Sequence, residues 1–152
     1  MVRVLFVCLG NICRSPMAEA IFRDLVEIEG LRTRITVDSA GTGSWHVGKR
    51  PHQGTLSKLK EYGMSSEGIR ARQLKKEDRD AFDYIVGMDQ SNVTNIKKVI
   101  GEPEGVKVIR LLDLTDHKKD VPDSYYTNDF QETYDLVSDG CKMLLEEIKK
   151  QL

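Results

Sequence analysis

The sequence predicts an α/β domain, a parallel sheet with helices on both of its faces, and three observations carry that prediction. Short apolar, β-branched runs alternate with stretches of helical periodicity along the chain. The runs stand far enough apart for a crossover helix between them, the connection that parallel strands require. With 152 residues, the chain suits one compact domain, residues 1–152, with a core that needs no staples.

The elements follow in order. Val2 to Val7 reads as the first strand. Pro16 sits where the first turn of a helix tolerates it, and Met17, Ile21, Leu25 and Ile28 then recur at helical spacing until Gly30 closes the segment. Ile35 to Val37 reads as a short strand running into a small-residue loop, Asp38 to Ser44. A helix is expected after Pro51, through Leu56 and Leu59 to Gly63. The stretch Met64 to Lys76 has poor periodicity, with a short helix starting between Leu74 and Arg79. Phe82 to Met88 is the clearest later strand. Asp89 then opens a helix carrying Val93, Ile96 and Val99 or Ile100. Val106 to Leu112 makes the fourth strand, and a polar loop from Asp113 to Asp129 leads to a final helix. Its stripe is Tyr134, Val137, Cys141, Leu144 and Ile148. In such sheets the binding crevice lies beyond the carboxyl ends of the strands. The loops at Cys8, Ser39, Asp89 and Asp113 to Asp129 all follow strands, so they converge there.

Composition narrows the function. Lys and Arg total 23 against 24 Asp and Glu, so no overall basic field recruits nucleic acid or an anionic membrane. No apolar run approaches the length of a membrane span or a signal-peptide core. Three cysteines are an odd count for a disulfide scaffold, which points to a reducing, cytoplasmic setting.

The chemistry concentrates in Cys8-Leu9-Gly10-Asn11-Ile12-Cys13-Arg14-Ser15-Pro16-Met17. A strand, a tight loop and a helix N-terminus in succession aim backbone N–H groups and the positive end of the helix dipole at one point. The field that holds a phosphate dianion also favours Cys8 as thiolate, the nucleophilic form. Five residues separate Cys8 from Arg14, whose planar fork matches two phosphate oxygens. Gly10 permits unusual backbone angles, Asn11 tolerates positive φ and braces the loop, and Ser15 is placed to donate to the sulfur. A nucleotide-triphosphate loop does not fit, because Gly48-Lys49-Arg50 lacks the spacing and the hydroxyl.

The string Cys8 to Pro16 resembles the active-site signature of the low-molecular-weight protein tyrosine phosphatases, in particular Gram-positive bacterial members. The likeness extends through Asp38 to Gly41, Trp45, Phe82 to Asn92 and Val121 to Tyr126. It implies a four-stranded, doubly wound parallel sheet and catalysis without cofactor or metal. It also implies that Cys8 becomes phosphocysteine, that Arg14 clamps the oxyanion, that Asn11, Ser15 and Ser39 brace the loop, and that Asp123 is the general acid. From the residues alone, Asp123 is one of five aspartates between Asp113 and Asp129; the adjacent Tyr125 and Tyr126 recommend it.

Two positions depart from the family pattern. Ser124 stands where a proline is usual and would leave Asp123 less firmly set. Ile69 stands where many members have a histidine, so Asn11 must be oriented by Ser15, Ser39 or water. Aromatic walls from Trp45, Tyr125 and Tyr126, with Leu9, suit an aryl ester. Ile12 lacks the hydroxyl that a phosphoarginine-hydrolysing branch carries there, which favours phosphotyrosine-containing proteins as substrates of a monomer.

Cys13 lies close enough to Cys8 for a reversible disulfide under peroxide; the alternative is simple packing, and the resemblance favours the redox role. Cys141 falls on an apolar stripe and reads as core. His46, His52 and His117 lack metal-ligand spacing and read as solvated, as do the charged runs Lys75 to Asp80 and Glu146 to Lys150. Rival readings are a protein arginine phosphatase of the same fold, a non-catalytic phosphate-binding or phosphocarrier module, and a thiol redox sensor.

Overall fold

Strand β1, Val2–Cys8, lies inside the sheet because both of its faces are apolar. Val4, Phe6 and Cys8 turn to one side and Leu5 and Val7 to the other. The computed structural model describes residues 1–152, with β2 at Ile35–Gly41, β3 at Tyr84–Gly87 and β4 at Lys107–Arg110. All pairings are parallel, in the order β2-β1-β3-β4. Val2 faces Ile35, Val4 faces Tyr84, and Tyr84 faces Lys107.

The chain adds β2 on one side of β1 and β3 on the other, so the order reverses between β1 and β3. A crevice opens beyond their carboxyl ends. Helices α1 (Arg14–Ile28), α2 (Gln53–Glu61) and α6 (Phe130–Lys149) pack on the face that carries Phe6 and Cys8. The Phe6 and Phe22 rings meet edge to face at 5.6 Å there. Helix α4 (Gln90–Ile100) covers the opposite face through Ile96 and Ile100 against Leu5, Val7 and Ile85. The doubly wound four-stranded sheet is therefore as expected. No helix is long and apolar enough to cross a membrane.

Several boundaries differ from the sequence reading. Asp38, Ser39, Ala40 and Gly41 continue β2 rather than forming a loop, because they pair with β1 as far as Cys8 opposite Gly41. Gly41 also bonds outward, its N–H to Arg72 O at 2.8 Å and its carbonyl to Leu74 N at 2.7 Å. β3 stops before Met88, whose N–H is taken by Asn92 Oδ1 at 3.0 Å. After β4 the chain tightens into a 3-10 turn over Leu111–Leu114. The polar stretch after Asp113 contains a short helix α5, Ser124–Thr127, capped by Asp123.

The charged run Lys75 to Asp80 is not a solvated face throughout. Asp78 starts helix α3, Asp78–Ala81, and is buried, accepting from Arg72 Nη1 at 3.1 Å and Lys75 N at 2.9 Å. On α6, by contrast, Glu146 to Lys150 form exposed ion pairs around a buried Ile148. Cys141 is wholly buried, and burial pushes its thiol well up.

Candidate active site

Cys8 ends β1 and Arg14 begins α1, so the loop between them crosses the sheet's carboxyl edge. Neighbouring segments consume its carbonyls. Cys8 O accepts from Thr42 N at 3.0 Å, Leu9 O from Gly43 N at 2.9 Å, Ile12 O from His52 N at 2.7 Å and Cys13 O from Thr55 Oγ1 at 3.2 Å. With the carbonyls tied outward, none of the N–H groups from Leu9 to Cys13 donates within the protein. Such a run of free donors at a helix N-terminus is an anion cradle.

Asn11 adopts the positive φ of the turn, at 56°. Gly10 does not, which corrects the expectation that it supplies the unusual angle. Its lack of a side chain serves packing instead, since a Cβ there would lie 3.1 Å from the His46 ring.

Beneath the loop the polar groups join in one chain of hydrogen bonds. Ser15 Oγ lies 3.0 Å from Cys8 Sγ. Asn11 Nδ2 donates to Ser15 Oγ at 2.8 Å and to Ser39 Oγ at 2.9 Å, while its Oδ1 accepts from Arg72 N at 3.0 Å. Ser39 Oγ donates to Glu19 Oε1 at 2.6 Å. Asn11 is thus oriented by Ser15 and Ser39, as expected, and also by the Arg72 backbone. Asn11 and Ser15 are buried under the loop and do not line the cleft above it. Ile69 is buried and apolar. Burial pushes the Glu19 carboxyl up, with the Ser39 hydrogen bond opposing it.

Arg14 is 2% exposed. Its Nη1 donates to Asp89 Oδ2 at 2.6 Å and to Val121 O at 3.0 Å, and its Nη2 to Asp123 Oδ2 at 3.3 Å. Nε is buried without a partner. Desolvation works to lower the Arg14 pKa, but Cys8, Asp89 and Asp123 outweigh it and raise it. The guanidinium stays charged.

Above the loop a cleft of about 330 Å³ is lined by Cys8, Leu9, Gly10, Ile12 and Cys13 below and by Trp45, His46, Asp123, Tyr125 and Tyr126 around it. Trp45 and Tyr126 stand mostly exposed at its rim. His46 and His52 are not free in solvent. His46 walls the cleft beside Tyr125, with ring centres 6.1 Å apart. His52 caps α2 through Nδ1, accepting from Gly54 N at 3.0 Å, and stacks on Phe130. His117 is exposed and meets Asp139 at 3.1 Å. Cys13 is buried at the cleft floor, and desolvation, followed by Cys8 and Asp123, pushes its thiol up to about 12.

Sequence reasoning missed Glu19, His46 and the Arg72 amide. Glu19 and His46 carried no signal beyond a helix carboxylate and a loop histidine. The amide has no residue-type signal at all. Asp89 was placed at the crevice by topology, but its grip on Arg14 was not.

A strand-loop-helix anion cradle with a thiol at its floor and an arginine beneath defines a cysteine-dependent phosphatase site on a doubly wound sheet. Residues 3–152 match the low molecular weight phosphotyrosine protein phosphatase family. The chain is 49% identical over 153 residues to the low molecular weight protein-tyrosine-phosphatase YfkJ of Bacillus subtilis, covering 99% of this chain and 98% of that protein. It is 46% identical over 151 residues to PtpA of Staphylococcus aureus, covering 99% and 96%. The YfkJ crystal structure superposes with a TM-score of 0.96, covering 99% of this chain and 96% of that one. The crystal structure of a drosophila arginine phosphatase, 32% identical, superposes at 0.88, covering 96% and 97%. The chain belongs to the low molecular weight protein-tyrosine-phosphatase family and is an enzyme of that class.

Proposed function

We propose that Cys8, Arg14 and Asp123 hydrolyse phosphotyrosine through a phosphocysteine intermediate, with residues 1–152 acting as one monomeric, cytoplasmic phosphatase domain. The observation that carries this reading is the set of donors without acceptors around Cys8: the N–H groups of Leu9 to Cys13 and Arg14 Nε. They match the three equatorial oxygens of a transferring phosphoryl group. With Nη1 held by Asp89 and Val121, the Nε–Nη2 edge of Arg14 is the one that meets the anion as a fork.

Cys8 Sγ attacks phosphorus, the bond to the phenolic oxygen breaks, and Asp123 gives that oxygen its proton. Asp123 then takes a proton from water as the water attacks phosphocysteine. Cys8 departs with the bonding electron pair, stabilised by Ser15. Trp45, Tyr125, Tyr126 and Leu9 flank an aryl group, and Ile12 offers no hydroxyl for a P–N bond, so phosphotyrosine is favoured over phosphoarginine. The near-balanced charge supports protein substrates rather than nucleic acid or a membrane surface. Cys13 gives the site a second role: a Cys8 sulfenic acid condenses with the Cys13 thiol to a disulfide and water, which protects the sulfur from irreversible oxidation.

The test is turnover of phosphotyrosine, phosphoarginine and phosphoserine peptides at matched concentration. Phosphotyrosine should be fastest, with turnover abolished by Cys8→Ser and blocked by vanadate. Faster phosphoarginine turnover would reassign the substrate. Turnover that survives Cys8→Ser would remove the mechanism.

A further inference from the structure

The hydrogen bonds beneath Cys8 form a line whose two ends each have a fixed sense. At one end the Arg72 backbone N–H donates to Asn11 Oδ1 at 3.0 Å. The amide nitrogen of Asn11 is therefore the atom that faces Ser15 and Ser39, and it only donates. At the other end Glu19 Oε1 accepts from the Ser39 hydroxyl at 2.6 Å.

Ser39 has one proton, and it goes to Glu19; Ser39 receives one from Asn11 in return. Ser15 receives the second Asn11 proton and keeps its own for Cys8 Sγ at 3.0 Å. Its other acceptor, Ala40 O, lies at 3.5 Å, a poorer hydrogen bond. The Arg72 amide sets the sense of Asn11, and Glu19 sets that of Ser39. While Glu19 accepts, Ser39 offers Asn11 Nδ2 a lone pair. Without it the Ser39 proton is free to face Nδ2, donor against donor, so the carboxamide that steers Ser15 loses an anchor.

We propose that Glu19 is a positioning residue that keeps Ser39 an acceptor for Asn11, so holds the carboxamide that aims the Ser15 proton at sulfur, and thereby accelerates phosphocysteine breakdown. The inference rests on the phosphocysteine reading above. Glu19 sits on α1, is 8% exposed, and lines no part of the cleft. It acts only through Ser39, Asn11 and Ser15. The benefit falls on the second step because that is where sulfur gains charge. The S–P bond breaks, the electron pair stays on Cys8, and water supplies the new P–O bond while Asp123 takes its proton. A donor preorganised at developing charge lowers that barrier. In the first step sulfur loses charge, so the same donor gives little.

The test is rapid-mixing kinetics with an aryl phosphate. Glu19→Ala should lower kcat about tenfold, a cost of one well-placed hydrogen bond. kcat/KM, which reports the first step, should stay within about threefold, so KM falls too and a burst of phenolate appears. Glu19→Gln keeps an acceptor oxygen and should restore kcat. Equal losses in kcat and kcat/KM, or no change in either, would overturn the proposal. Should Glu19→Ala fail to fold, Ser39→Ala cuts the same line at the next link and must give the same split; wild-type kcat in that variant also overturns it. A wild-type protein that does not turn over aryl phosphates defeats the proposed function, whereas turnover without the split defeats only the role of Glu19.

Discussion

The two sides of the cleft are built on opposite plans. On one side, the loop Cys8 to Ser15 is tied down and, apart from half-buried Leu9 and Gly10, buried: Asn11 is 1% exposed and Arg14 is 2% exposed. Apart from Arg14 Nε, their side-chain polar atoms are committed to Ser15, Ser39, Arg72, Asp89, Val121 and Asp123. On the other side, the segment Asp113 to Asp129 lies mostly at the surface, buried at Thr115, Val121 and Ser124 but with Tyr125 51% and Tyr126 74% exposed. Asp123 is held there by a cap to Tyr125 N at 3.1 Å and by Arg14. Val121 anchors the middle of the segment, its N–H on Met88 O at 2.9 Å and its carbonyl on Arg14, while the exposed ion pairs of Arg110 with Asp113 and Asp120 contribute little. The difference follows from what each side faces. Phosphate has one shape, so its cradle is rigid; leaving groups vary, so the proton donor sits on a segment that can adjust.

The largest test of that contrast is Asp123→Asn. Loss of the acid should slow phosphorylation of Cys8 about 10²- to 10³-fold for phosphotyrosine. The loss should be much smaller for p-nitrophenyl phosphate, whose leaving group needs little protonation. Stopped-flow release of the two phenols decides it. Equal losses for both would mean that Asp123 serves the cradle through Arg14 and not the leaving group, and the contrast between the two sides would fail.

Ser124→Pro sharpens the comparison at smaller scale. Ser124 is the first residue of α5, its backbone N–H makes no hydrogen bond, and proline is preorganised for that position. Its hydroxyl is buried with no close hydrogen-bond partner, its one interaction being with the Cys13 thiol. Stiffening the segment should speed the phosphorylation step about two- to fivefold, a gain of up to roughly 1 kcal/mol. A rate that is unchanged or lower in single turnover would show that the Asp123 segment is already as well placed as it needs to be.

The contrast also explains what could be seen in the sequence. The loop was legible because its demands are local: a thiol, five residues and an arginine between a strand and a helix state the chemistry in one string. The parallel sheet was legible because apolar runs spaced by helical stretches have a distinct pattern, whereas the strand order β2-β1-β3-β4 is set by long-range pairing that the sequence does not display. The extension of β2 through Asp38 to Gly41 was not, since polar and small residues there are held by pairing with β1 rather than by propensity. Asp78 and Glu19 were illegible for another reason. Glu19 is buried against Ser39, distant in sequence, and Asp78 against Arg72 and the Lys75 N–H nearby, but a charged run does not announce which of its carboxylates turns inward. His46 joined the cleft wall because Gly10 leaves room for its ring, a match between residues far apart in the chain.

The rigid side should also carry a thermodynamic cost, and Glu19 is where to measure it. Burial raises its carboxyl pKa in the folded protein above the 4.5 of a free side chain. Below that value the group is protonated in both states and costs nothing. As pH rises, the unfolded chain loses its proton first, so folding stability falls until the folded Glu19 ionises as well. Relative to Glu19→Gln, which cannot ionise, the wild-type protein should therefore lose a few degrees of melting temperature between acid and neutral pH. The gap should stay constant above that window. Thermal unfolding of both proteins across the range checks it. If the wild-type protein instead gains on the variant as pH rises, the fold favours the ionised carboxylate outright, and the braced side of the cleft is held at no expense to stability.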